Sequence, residues 1–174
     1  MFASFAFIIA AVLLVPLASR AQTRQSEIGL VGIWQVSPDI ASGWSDNYQF
    51  FADGHFVFNS NQMDCAKREI SYAGQWRVKG NSLSLYISQR KILEGGRFEQ
   101  ARGSCGSDLV LLGARLKVID VTPRKLLTLT LAEARPSPGE VYNPITKKVE
   151  WRNIQHILIG GTDYWKLRDN PNEY

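Results

Sequence analysis

Residues 74–88 read GQWRVKGNSLSLYIS, with apolar and polar side chains alternating on both sides of a Gly80-Asn81 pair. Trp76 and Val78 point one way before that pair, and Leu83, Leu85 and Ile87 point one way after it, the period of a half-buried β-strand. With Gly80 and Asn81 as a two-residue hairpin loop, Val78 faces Leu83 and Trp76 faces Leu85, so the apolar faces coincide. The string that opens this stretch has an earlier counterpart in GIWQV, residues 32–36. Each glycine permits a bend or close approach of another backbone, and each tryptophan supplies a core face.

The same reasoning extends outward. In YQFFADGHFVF, residues 48–58, a three-residue Ala52-Asp53-Gly54 loop sets Phe50 opposite Phe56 and Tyr48 opposite Phe58, with Gly54 in the left-handed conformation. Further strands are expected near 30–36, 47–51, 55–60, 69–78, 82–88, 108–121, 126–133, 140–142, 147–158 and 162–168. No window beyond the N-terminal segment keeps helical spacing. The fold class is therefore all-β, an antiparallel up-and-down β-barrel of about 8–10 strands, because closure removes exposed strand edges. Connections of such a meander alternate between its ends. Segments 37–47, 61–68, 89–107 and 134–139 then fall at one end, and the short turns 52–54, 79–81, 122–125 and 143–146 at the other. The long-loop end reads as a mouth.

The first 21 of 174 residues, MFASFAFIIAAVLLVPLASRA, combine an uncharged apolar run with a small-residue site at Ser19-Arg20-Ala21. They predict a signal peptide cleaved after Ala21 and a domain over 22–174 that is periplasmic or secreted. A retained membrane anchor is the rival reading, and a membrane is a partner only in that case. The formal net charge of +4 falls to +3 when Arg20 is removed with the leader. Basic residues form no run and gather on no helix, so no nucleic-acid partner is implied. Cys65 and Cys105 both lie at the long-loop end and, in an exported chain, are expected to form a disulfide. As metal ligands they fall short, having no nearby His to complete a set of four.

The pattern G-x-W, then Y-x-F-x-x-D-G-x-F-x-F, then G-x-W-x-V-x-G-x-x-L-x-L, carried by Gly32, Trp34, Tyr48, Phe50, Asp53, Gly54, Phe56, Phe58, Gly74, Trp76, Val78, Gly80, Leu83 and Leu85, resembles the bacterial lipocalin-like domains of the calycin group. It covers residues 32–87. The resemblance implies a barrel with an extracytoplasmic binding role, in which the first-strand tryptophan packs at the closed end beneath a basic residue from a late strand.

Candidate sites follow from these placements. Trp34, Phe50, Phe56, Phe58, Trp76, Leu83 and Leu85 line the barrel interior, either as a filled core or as the wall of a cavity. The loop RKILEGGRFEQARGSCG, residues 90–106, offers Arg90, Arg97 and Arg102 at the mouth, joined there by Trp44 of the 37–47 loop. These four are the candidate ligand-binding residues. His55 and His156 stand apart in sequence, and no nucleophile motif, metal signature or phosphate-cradling loop occurs. No cofactor, metal or catalytic residue is assigned. The function expected is an exported binding protein for a small, mostly apolar molecule. The alternatives are a filled barrel that binds an envelope protein, and an enzyme.

Overall fold

The computed structural model describes residues 29–38, 45–103, 105–143 and 146–173. The expected leader with its expected cleavage point, and Trp44, lie outside the described residues. Ten strands are present and no helix occurs among the described residues. They are β1 (Gly32–Gln35), β2 (Asn47–Phe50), β3 (His55–Asn59), β4 (Glu69–Lys79), β5 (Ser82–Gln100), β6 (Leu109–Glu133), β7 (Ser137–Asn143), β8 (Lys148–Ile154), β9 (His156–Ile159) and β10 (Thr162–Arg168). Eight of them close into a ring in the order β1-β10-β9-β6-β5-β4-β3-β2, and every neighbouring pair is antiparallel. The other two, β7 and β8, form a separate hairpin.

Both sequence-derived hairpins have the expected register. Trp76 pairs Leu85 and Val78 pairs Leu83; Phe50 pairs Phe56 and Tyr48 pairs Phe58. Gly54 has φ 85°. The alternation seen in sequence becomes burial: Trp76, Val78, Leu83, Leu85 and Ile87 are all buried, while Arg77 and Lys79 between them are exposed. All seven residues assigned to the interior belong to one core cluster. Aromatic rings touch within it, Phe50 and Trp76 edge-on at 5.4 Å between centroids and Phe58 against Tyr48 at 4.7 Å. An eight-stranded ring is just wide enough for side chains of this size to fill.

Two expectations for the middle of the chain are corrected. Residues 89–100 are not loop but the outer half of β5, paired with 109–120 of β6 as a ribbon extending beyond the ring. Residues 122–125 are not a chain reversal, since β6 runs continuously from Leu109 to Glu133. Ile87 pairs Lys125 and Gln89 pairs Asp120, so residues 121–124 form a bulge facing Ser88. Bulges are where a strand tolerates proline, and Pro123 sits in this one.

The ribbon bends to stay with the β3–β4 loop. Leu93 N–H donates to the Arg68 carbonyl at 2.7 Å, Leu111 N–H to Cys65 at 2.9 Å and Gly106 N–H to Met63 at 2.7 Å. Three residue steps of loop span about 11 Å at most, against about 17 Å for the five steps of a straight strand from Leu93 to Phe98, the partner of Leu111. Gly95, Gly96 and Gly113, at φ 72°, 71° and 70°, take up the difference. The expected Cys65–Cys105 disulfide is present at the ribbon's tip, with Cα atoms 5.7 Å apart.

These corrections change one end assignment. Antiparallel alternation around the ring leaves 36–46, 60–68, 101–108 and the Gly160-Gly161 turn at one end. It puts 51–54, 80–81 and the whole 134–155 insertion at the other. Segment 134–139, expected at the long-loop end, thus lies with the short turns.

Candidate functional site: a cleft beside Trp34

A cleft of about 570 Å³ opens at the short-turn end. Three separated pieces of chain build it. The approach to β1 gives Gly29 and Leu30, with Trp34 behind them; the β4–β5 hairpin gives Val78, Gly80 and Asn81; and the β6–β9 crossing gives Leu131 to Ala134, Pro136 and Gln155 to Ile157. Its floor is apolar, since Leu30, Trp34 and Val78 are buried and Leu131 and Ile157 are half-buried. The hairpin and β6 are held together here by Leu131 N–H donating to the Asn81 carbonyl at 2.7 Å.

Trp34 is held at its polar edge. Its indole N–H donates to the Leu30 carbonyl at 2.6 Å, so the polar edge is satisfied, and the ring lies fully buried behind Leu30. Lys166, from the last strand, holds its Nζ 5.6 Å from the Trp34 ring centroid and pairs with Asp169 at 2.7 Å. A cation over an indole face is attracted by the ring quadrupole.

His156 stands on the rim with both ring nitrogens engaged. Nε2 lies 2.7 Å from Asp163 Oδ1 and Nδ1 lies 3.0 Å from the Arg135 carbonyl. Its ring stacks on Trp165 with centroids 5.0 Å apart, and the Trp165 indole N–H donates to Ser137 Oγ at 3.1 Å. A histidine so occupied braces β9 against β10 and the base of the β7–β8 hairpin. His55 is paired with exposed Asp53 at 2.9 Å, and the His55 amide, followed by its ring, holds the Asp53 carboxyl below the usual range. No group of three or more His, Cys, Asp or Glu side chains suited to a metal ion occurs among the described residues.

Arg90, Arg97 and Arg102, three of the four residues expected to meet a ligand, lie elsewhere. Arg90 makes two hydrogen bonds to Glu69, at 2.8 and 3.0 Å. Arg97 is exposed on the ribbon and bonds Glu99 at 2.6 Å, and Arg102 is exposed at its tip. None of the three lines the cleft. The interior toward the long-loop end instead holds a tyrosine group that sequence reasoning did not single out. Tyr48 and Tyr72 share a hydrogen bond at 3.0 Å, and the Tyr164 ring lies 5.3 Å from that of Tyr48. Burial pushes all three phenols up, Tyr72 to about 12. The alternating Tyr72-Gly74-Trp76 spacing was the available signal. The cleft's own signal was fainter, in the apolar positions of LVGIW and LTLTLAEA that meet only through ring closure.

These features define an all-β chain whose antiparallel sheet closes on itself and carries a partly apolar cleft at one end. Compared with models of protein families, with curated proteins and with solved structures, the chain matches none.

Proposed function

We propose that the chain is an exported, lipocalin-like β-barrel that binds a small, mostly apolar molecule in the cleft beside Trp34. The cleft carries this reading. Its volume of about 570 Å³ falls within the range of small-molecule sites, and its mixture of apolar floor and sparse polar rim is what such sites use. Two observations support the wider frame. The placement of Lys166 over Trp34 is the arrangement that the G-x-W resemblance implies. The Cys65–Cys105 disulfide suits the oxidising conditions an exported chain meets.

The filled ring interior moves the proposed ligand away from the barrel axis and from the mouth where Arg90, Arg97 and Arg102 were expected to receive it. Native mass spectrometry of the chain recovered from its own cells tests the proposal. A small molecule retained in a one-to-one complex and released by organic extraction is the expected result, and a uniformly ligand-free chain under gentle purification counts against it.

A further inference from the structure

We propose that the molecule held beside Trp34 is an amphiphilic amine, with its apolar body on the cleft floor and its ammonium group against Glu133. The inference rests on the binding role proposed above for the cleft. Alternation along β6 carries it. Leu127, Leu129 and Leu131 pack in turn against the buried core, and the next position on that inward row is Glu133. Strand pairing agrees, since Leu131 lies opposite Ile159 and Glu133 opposite Ile157, both part of the same interior. The row that fills the ring therefore ends, at the cleft, in a carboxylate.

Glu133 and His156 are the lining residues able to carry charge, and they face opposite ways. Ile157 pairs buried Tyr164, whereas His156 pairs Trp165. His156 thus has the outward parity, where its ring meets Trp165 and Asp163. Glu133 is exposed and makes no ion pair among the described residues. Lys79 and Arg135 adjoin lining residues in sequence, and Lys166 lies 5.6 Å from the Trp34 ring centroid, but none of the three lines the cleft. Lys166 is in any case paired with Asp169 at 2.7 Å. A carboxylate at a wet rim is ordinary by itself. This one shares its face with Leu131 and Ile157, so a molecule lying on those side chains covers it and displaces its water. An ammonium group replaces that water with a charge-assisted hydrogen bond, whereas a hydroxyl offers a weaker neutral one. An anionic head would meet like charge there.

Isothermal titration with decylamine, decanol and decanoate, which share one chain and differ in the charge of the head, tests this. The chain from Gln22 onward is used so that the apolar leader cannot itself take up the probes; the ring closes wholly within residues 32–168 and the lining residues fall within 29–157. Decylamine should bind about fivefold more tightly than decanol, the scale of an ion pair open to water, and decanoate should bind most weakly. Added salt should narrow the gap between amine and alcohol. Glu133→Gln should close that gap, and Glu133→Lys should turn the preference toward decanoate, with circular dichroism unaltered in both variants. Decanol bound as tightly as decylamine, or a preference for the amine that survives Glu133→Gln, overturns this proposal while leaving the binding role of the cleft intact. Binding of none of the three probes overturns that role, and this proposal with it.

Discussion

Gly32 and Gly74 stand two residues before Trp34 and Trp76, and at each a neighbouring backbone leaves no room for a side chain. A Cβ at Gly32 would meet the Arg168 carbonyl oxygen, and one at Gly74 the Tyr86 carbonyl oxygen. Register shifts adjoin both, between Ile33 and Trp34 and between Ala73 and Gly74. The twin G-x-W strings are one local solution used at two places: a bulge that lets strands close tightly and turns an indole inward. Gly74→Ala is expected to cost about 1–3 kcal/mol, measured as a lower denaturant midpoint at unchanged slope; an unaltered midpoint would show that the backbone yields easily. The tyrosines give a second prediction at this scale. Burial raises the Tyr72 phenol to about 12, and those of Tyr48 and Tyr164 in the same direction. A folded value above the ordinary one, about 10, means stabilisation that is complete below pH ~10 and lost as pH rises through the folded value. Alkaline titration followed by phenolate absorbance should show these groups ionising late, together with loss of structure. Ionisation of every tyrosine near the ordinary value in a chain still folded would contradict it. Trp34, Trp76 and the phenylalanines were legible from alternation alone. The Tyr48–Tyr72 bond was not, because it joins residues brought together only by β2, β3 and β4 pairing in sequence.

At the scale of elements, the two short hairpins were readable because turn chemistry and alternation agreed. The ribbon was not. Gly95-Gly96 and the surrounding charges resemble a loop when side-chain pattern is the guide, since a two-stranded ribbon outside the ring has no buried face to impose strict alternation. Thr122-Pro123 resembles a turn for a related reason: proline marks chain reversals and bulges alike. What fixes the ribbon in place is its tie to the β3–β4 loop. Replacing Cys65 and Cys105 by Ser opens a 40-residue closure and should lower stability by about 4 kcal/mol in the chain-entropy model. Hydrogen exchange should rise chiefly at Met63 to Arg68 and in the outer ribbon, while β1 to β3 stay protected until global unfolding. Uniform loss of protection across the ring would mean that the ribbon and the ring unfold as one unit.

For the whole molecule, eight strands in an antiparallel ring, an interior filled by aromatic rings and a cleft at the short-turn end divide the labour. The filled interior makes the ring a rigid frame, and the 134–155 insertion, by crossing from β6 to β9, raises one wall of the cleft beside Trp34. The pairing of Cys65 with Cys105 could be read from the sequence; the ten strands agree in number only because 109–133 was expected as two strands and 147–158 as one. The end at which a pocket forms could not, because a single misread reversal at 122–125 moves segment 134–139 from one end to the other. The proposed function requires a small apolar molecule to bind at this cleft. Titration of the chain from Gln22 with the neutral dye Nile red, alongside an Ala134→Trp variant that fills the cleft from its wall, tests it most directly. Saturable one-to-one fluorescence enhancement is expected in the parent and its loss in the variant, with the two chains equally stable. Enhancement that is equal in both chains, or that never saturates, would contradict it.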